Sequence, residues 1–132
     1  ESVQNQEKIR EADEKIRVLV VEPMKEPKVE YIENTLDDMQ RVVGGLTEEI
    51  DLNDNTVLVC NEEGKLMNLQ ANRRVGRDVI AGTFFIAGED GSEDLVSLTD
   101  EQVNEYKERF HELEEIEQQE VFEKIEITIR GF

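Results

Sequence analysis

Residues 79–87 have the sequence VIAGTFFIA and form the most apolar stretch of the chain. Their β-branched and aromatic side chains favour an extended backbone, so the stretch predicts a core strand. Gly82 lies inside it, and a glycine within a strand often marks a bulge or a close backbone approach. Residues 16–21 (IRVLVV) form a second such run, which predicts another central strand.

The segments around these two runs complete an α+β pattern. We expect residues 29–32 to pair with residues 16–21 as a hairpin, and residues 70–78 to form an irregular loop. Further short strands are predicted over residues 46–52, 56–60, 65–69, 95–98 and 121–129. Together they predict a mainly antiparallel sheet of about five to seven short strands, with one short and one longer helix covering one face.

Capping residues predict where the two helices begin. Thr35 with Asp38 predicts a capped start for the short helix, and Gly44 predicts its end. Thr99 with Gln102 forms a capping box for the longer helix, which we expect to run to about residue 118. Apolar residues at helical spacing predict the buried faces: Leu36, Met39 and Val43 in the first helix, and Val103, Tyr106, Phe110 and Leu113 in the second.

The charge balance excludes several classes of function. The chain has 132 residues, with 33 acidic and 15 basic side chains and a formal net charge of −18. Direct binding to nucleic acid or to an anionic membrane neutralises phosphates with Lys and Arg, so this balance argues against both. No apolar run approaches the roughly 20 residues of a membrane span. The single Cys60 cannot form an internal disulfide, which predicts a reducing compartment such as the cytoplasm.

One domain accounts for most of this length. Residues 1–14 are polar and predict an N-terminal lead-in, whereas residues 15–110 carry the predicted α+β domain. Residues 111–132 hold the end of the longer helix and the C-terminal strand, which we expect to pack on the same domain. The strand pattern at residues 121–129 also predicts a sheet edge through which the protein would form a homodimer.

A basic cluster in residues 72–77 (NRRVGR) is the clearest candidate for a ligand site. Arginine suits the planar recognition of phosphate and carboxylate groups. One interpretation is therefore a site for a small anionic ligand or a nucleotide, with Asn72, Arg73, Arg74, Arg77 and Thr83 as the contacts. In the alternative interpretation the arginines are structural and pair with the chain's surplus of acids, with Asp78 or Glu62 as the expected partners.

The longer predicted helix carries a row of carboxylates outside its apolar stripe. We take Glu101, Glu105, Glu108 and Glu112 as candidate contacts to a partner protein. A row of carboxylates can compete with duplex phosphates for a DNA-binding enzyme, so a basic nucleic-acid enzyme is one candidate partner. The simpler interpretation is a solvated helix face.

Catalytic chemistry has little support in the sequence. Cys60 and His111 would form a nucleophilic pair only if the fold brought them together, and no third group is apparent. We predict a buried structural thiol at Cys60. No catalytic residue, metal ligand or cofactor is predicted.

Six segments in the same order resemble a known family: residues 18–23, 36–45, 59–66, 72–73, 80–85 and 96–101. The chain resembles, over residues 16–110, the domain of unknown function family numbered 3846. Residues 70 and 71 (Gln-Ala) depart from the Leu-Pro turn that relatives often have before Asn72. The resemblance implies a small phage or mobile-element protein without an established activity, so it carries over no catalytic residue.

These observations predict a non-enzymatic accessory protein of a prophage or mobile element. It would act through protein–protein contacts, with an acidic anti-defence or DNA-mimic role as its specific form. The alternative is a small module that binds an anionic ligand or a nucleotide through residues 72–77. Salt-sensitive capture of a basic protein would favour the first, and thermal stabilisation by a nucleotide would favour the second.

Overall fold

The computed structural model describes residues 15–53 and 55–121. Residues 118–121 add one helical turn at the end of the described range. The longer elements follow in chain order: β1 (Lys15–Val21), β2 (Lys28–Glu33), α1 (Leu36–Val43), β3 (Thr47–Asp51), β4 (Thr56–Asn61), β5 (Ala71–Val75), β6 (Asp78–Ala81), β7 (Phe84–Glu89), β8 (Leu95–Val96) and α2 (Asp100–Arg109).

The described strands form a six-stranded sheet and a two-stranded sheet. The large sheet has the order β2–β1–β7–β4–β3, with β8 also paired to β7. Neighbouring strands are antiparallel throughout. β5 and β6 form the small sheet, which is also antiparallel. The predicted α+β fold with a mainly antiparallel sheet is therefore confirmed.

The two helices cover opposite faces of the large sheet. Leu19 and Val21 of β1 share a core cluster with Tyr106 of α2. Val18 and Val20, which point the other way, share a second cluster with Val43 at the end of α1. The prediction that both helices cover one face is wrong, because the central strands are apolar on both faces and each face must be shielded from water.

The apolar stretch at residues 79–87 is two strands instead of one. β6 and β7 belong to different sheets, and Gly82 lies between them with a positive φ of 86°. A Cβ atom at Gly82 would lie 2.7 Å from Cδ1 of Leu69. Gly82 therefore ends β6 and redirects the chain into the large sheet, a change of direction that apolar periodicity does not reveal.

Residues 65–78 also differ from the expected strand and loop. The predicted strand at residues 65–69 is a series of turns, in which the Leu69 N–H donates to the Gly64 carbonyl at 2.9 Å. The predicted loop at residues 70–78 is instead the β5–β6 hairpin, with Gly76 at its turn and a positive φ of 61°. This hairpin was not predicted because Asn72 and Gly76 are of residue types that are depleted in strands.

The predicted helix starts are confirmed. The Thr35 side chain accepts a hydrogen bond from the Asp38 N–H, and Gly44 ends α1 in the left-handed conformation. Thr99 and Gln102 form the complete capping box at the start of α2. Leu36 is an exception within the predicted buried face of α1, because its side chain is 60% exposed.

The longer helix ends earlier than predicted. α2 stops at Arg109, and Phe110 forms its C-cap instead of continuing to residue 118. The Phe110 ring is buried and meets the Phe84 ring edge-on at 5.3 Å between centroids. Leu113 is 44% exposed, so the buried stripe of the helix also ends at Phe110.

Two predicted segments lie largely outside the described residues. Val121, the first residue of the predicted strand at residues 121–129, belongs to the helical turn of residues 118–121. Residues 122–129 of that strand, and the lead-in at residues 1–14, lie outside the part of the chain that the structure describes. Within residues 111–120, Ile116 packs against the cluster that contains Val79.

Candidate functional site

Asn72, the first residue of the basic cluster, lies in the interior. It occupies β5 and is fully buried. Its Nδ2 atom donates hydrogen bonds to the carbonyls of Val21 and Gly82, each at 2.9 Å. Asn72 thus ties the end of β1 to the glycine between the two sheets, and these bonds use its donors inside the protein.

Arg73 is also fully buried, and its guanidinium joins three parts of the chain. Nε and Nη2 donate to the Phe110 carbonyl at 3.2 and 3.0 Å. Nη2 also donates to the Lys25 carbonyl at 2.8 Å, and Nη1 donates to Oδ1 of Asn72 at 2.8 Å. The end of α2, the β1–β2 connection and β5 therefore converge on one side chain.

The position of Arg73 explains both its burial and the early end of α2. Its cation lies at the C-terminal, partially negative end of the helix and satisfies a carbonyl that has no partner within the helix. Burial lowers the pKa of Arg73, opposed by the charge of Glu114. No buried side-chain nitrogen or oxygen in the described residues lacks a partner, so this polar cluster is complete.

Arg74 points outward and pairs with the segment that follows α2. Nη1 lies 3.1 Å from Oε1 of Glu114, and Nη2 lies 3.0 Å from Oε1 of Glu120. Hydrogen bonds from Glu120 and then Glu114 raise the pKa of Arg74. The contacts hold residues 111–121 against β5. Arg74 does pair with acids, as the structural interpretation predicts, but its partners are Glu114 and Glu120 instead of the expected Asp78 or Glu62.

The other two candidate ligand residues lie apart from this pairing. Arg77 is exposed at the turn of the β5–β6 hairpin, and Thr83 is partly buried between β6 and β7. Of the five predicted contacts, only Arg74 and Arg77 present their side chains to solvent. The structure does not gather the five into one open site, and their binding of an anion or a nucleotide stays a prediction.

The carboxylates of α2 have the opposite environment. Glu101, Glu105 and Glu108 are exposed, while Val103 and Tyr106 of the same helix face the core. Glu112 is exposed too, but it lies beyond the end of α2. Within residues 15–53 and 55–121, none of the four glutamates forms an ion pair.

A cleft of about 310 Å³ lies between the β3–β4 edge of the large sheet and β6. Ile50, Cys60 and Ile80 give it an apolar floor. Charged side chains form its rim: Glu48, Glu62, Lys65 and Asp78. Lys65 is already paired with Asp78, so the rim carries a surplus of negative charge.

No pattern in the sequence indicates this cleft. Its walls come from β3, β4, β6 and the turns at residues 62–66, and β6 appears in the sequence only as the first part of a longer apolar run. The separation of β6 from β7 at Gly82 is what opens the space. The closest available signal was Gly82 itself, at a position where a glycine often marks a bend.

Cys60 and His111 do not form a reactive pair. Cys60 is buried in β4, and burial raises the pKa of its thiol to about 12. His111 is exposed, and its Nδ1 lies 3.3 Å from Oε1 of Glu26. A thiol with so high a pKa is a poor nucleophile near neutral pH, because the thiolate is the reactive form.

Residues 15–53 and 55–121 contain no group of three or more His, Cys, Asp or Glu side chains placed to hold a metal ion. None of their helices is long and apolar enough to cross a membrane.

The fold and its buried polar cluster define a small α+β domain. The chain belongs to the family described as Domain of unknown function (DUF3846), which matches residues 16–111. That range runs from β1 to the residue after the Phe110 carbonyl that Arg73 holds. Comparison with curated proteins and with solved structures found no match.

Proposed function

We propose that this protein is a non-enzymatic binding protein whose acidic surface recognises a basic partner protein. One observation carries the proposal: the carboxylates of Glu101, Glu105 and Glu108 are exposed along α2 without ion pairs in the described residues. Arg73 is buried and Arg74 is already paired, so the basic residues that remain beside these carboxylates are Lys107 and Arg109 of α2 itself.

The arrangement of these carboxylates suits long-range attraction. Residues 101, 105 and 108 recur about once per helical turn, so successive side chains are about 4.5–6 Å apart along the axis. A net charge of −18 gives the whole molecule a strong negative field. Such a field speeds encounter with a positively charged partner and weakens as salt is added.

The proposed partner is a basic nucleic-acid enzyme, and the specific role is an acidic anti-defence protein or DNA mimic. A helix with carboxylates at each turn offers acceptors for the Lys and Arg side chains that such an enzyme uses on phosphates. The accessory role in a prophage or mobile element rests on the resemblance of the sequence. A cytoplasmic location agrees with a single, free cysteine.

The absence of enzymatic activity is part of the proposal. It is supported by the high pKa of the Cys60 thiol and by the exposed position of His111 beside Glu26. Neither residue is placed to activate the other as a nucleophile and base. A protein of this kind acts by occupying a surface of its partner.

Capture from a bacterial lysate tests the proposal. The immobilised full chain is incubated with lysate that has been treated with nuclease, because nucleic acid would otherwise bridge basic proteins to the resin. Bound proteins are eluted with a salt gradient and identified by mass spectrometry. We expect a basic nucleic-acid enzyme released at moderate salt; recovery of background proteins alone would overturn the proposal.

A pair of variants with equal charge separates a specific surface from net charge. The first replaces the candidate contacts with glutamine: Glu101, Glu105, Glu108 and Glu112. The control removes the same charge at four other exposed positions: Glu33→Gln, Glu63→Gln, Glu93→Gln and Asp94→Asn. We expect the first variant to lose the partner and the control to retain it. Equal loss in both would show attraction to charge in general and would contradict a binding surface on α2.

A further inference from the structure

β3 is an edge of the large sheet, and its outward backbone groups have no strand partner among residues 15–53 and 55–121. It is outermost among the described strands on that side and pairs only with β4. At the two ends of the β3–β4 pair, the Leu52 N–H donates to the Thr56 carbonyl at 2.9 Å, and the Glu62 N–H donates to the Leu46 carbonyl at 2.8 Å. Hydrogen bonding alternates along an antiparallel pair, and Leu46 and Leu52 bond across this pair. The backbone N–H and C=O groups of Thr47, Glu49 and Asp51 therefore point away from β4.

The opposite edge of the sheet, β2, is protected against pairing with another strand. β2 follows Pro27, and its Lys28 lies within ion-pair distance of both Glu22 and Glu30. Mixed charges of this kind and a nearby proline discourage pairing with another strand. The side chains of β3 offer acids alone at their charged positions, so this edge repels a second acidic copy and attracts a basic strand.

The cleft continues from the β3 edge. Ile50 lines its floor and Glu48 lines its rim, and both side chains point to the sheet face that α2 covers. Glu49 and Asp51 are exposed on the other face. A strand added beside β3 would place alternate side chains over the cleft and the others beside Glu49 and Asp51.

We infer that an extended basic segment of the partner adds to β3 as a new edge strand. Its main chain bonds to the outward groups of Thr47, Glu49 and Asp51, and an apolar side chain enters the cleft over Ile50 and Cys60. Its Lys or Arg side chains meet the carboxylates along β3. This inference rests on the proposed function, and it adds the form of the partner segment and a second contact surface.

Peptide display provides the probe. Peptides of about ten residues, the length of a long strand, are selected against the immobilised full chain from a random library. We expect enrichment of sequences that alternate basic and apolar residues. Enrichment of acidic, helical or charge-block sequences, or no enrichment, would overturn the inference.

Two substitutions at one position separate backbone pairing from charge. Glu49→Pro removes an outward N–H that β4 does not use, so the sheet keeps its own bonds. Glu49→Gln removes the charge and keeps the N–H. The selected peptide should bind Glu49→Pro about fivefold to tenfold more weakly than Glu49→Gln. Equal affinity for the two variants would overturn strand addition.

Amide hydrogen exchange checks the same groups without substitution. In the free full chain, the Thr47, Glu49 and Asp51 amides should exchange fast, while Glu48 and Ile50 are protected. The selected peptide should slow exchange at the first three. Protection of these amides in the free protein would mean that another segment or a second copy already covers the edge, and would overturn the inference. If capture succeeds while these tests fail, the proposed function stands without strand addition.

Discussion

Arg73 and the carboxylates of α2 are both conspicuous charges in the sequence, and the fold uses them in opposite ways. Arg73 is fully buried and donates to the Phe110 and Lys25 carbonyls. Glu101 and Glu105 are exposed on the helix that Phe110 ends, without an ion pair in the described residues. The difference teaches that a cluster of charged residues in a sequence has one of two roles. Its side chains stabilise the interior where the fold buries them, and they can form a binding surface where the fold leaves them exposed.

Replacement of Arg73 should have the largest effect on stability. Arg73→Ala leaves the carbonyl of Phe110 and Oδ1 of Asn72 buried without their donors, at an expected cost of about 3–5 kcal/mol in the free energy of unfolding. Urea denaturation followed by circular dichroism measures it. Arg77→Ala is the control, since Arg77 is an exposed arginine of the same cluster. Equal stability of the two variants would place Arg73 outside the fold's essential contacts.

Gly82→Ala should weaken the same interior cluster. The Gly82 carbonyl accepts from Asn72, and the added Cβ would lie 2.7 Å from Leu69. Gly44→Ala is a matched control, because Gly44 also has a positive φ but has no atom within 4 Å of the added Cβ. Backbone strain costs about 1 kcal/mol at either site, and the contact with Leu69 should bring the loss at Gly82 to about 2–3 kcal/mol. Thermal melts of both proteins test this order.

The Cys60 thiol gives a pH test of the interior. Its pKa is raised to about 12 in the folded state, so the unfolded thiol loses its proton first as the pH rises. The thiol's contribution to the free energy of unfolding is therefore retained below about pH 8.5 and is lost as the pH rises toward 12, by about 2 kcal/mol at pH 10. Cys60→Ala should lack this component in denaturation curves at pH 7 and pH 10. An identical pH dependence in both proteins would contradict the burial of the thiol.

Arg74 is intermediate between the buried Arg73 and the exposed carboxylates of α2, and its replacement should have a small effect on stability. Arg74→Gln breaks the half-exposed pairs with Glu114 and Glu120, which should cost less than about 1 kcal/mol. The loss should shrink further in high salt, because exposed pairs are screened. Denaturation at low and high salt measures it. A loss as large as that of Arg73→Ala would show that this pairing belongs to the interior.

Local sequence signals predicted much of the fold. β1 and β2 form the expected hairpin, and the caps at Thr35 and Thr99 start the two helices. These features depend on residues close together in the chain, where apolar period and side-chain hydrogen bonds act directly. The positive φ at Gly82 and the early end of α2 depend on distant partners, Leu69 and Arg73, which local patterns do not contain.

The sequence identifies the charged residues of the candidate sites, but it does not predict which of them are buried or which groups they contact. The sequence marks both Arg73 and Arg74, yet only the assembled fold turns the first toward the Phe110 carbonyl and the second toward Glu114. The cleft beside β3 escaped prediction because it depends on where β6 lies relative to Ile50 and Cys60. Surfaces formed between strands far apart in sequence leave no local motif.

The central claim is that Arg73 stabilises the interior of the fold and that the α2 carboxylates are a binding surface. One comparison tests it directly: the unfolding midpoint and partner capture of Arg73→Lys beside those of the protein with glutamine at positions 101, 105, 108 and 112. We predict that Arg73→Lys lowers the midpoint and still captures the partner at a temperature where it is folded. The glutamine variant should keep its midpoint and lose the partner. The reverse pattern, with capture lost only in the Arg73 variant, would contradict the claim.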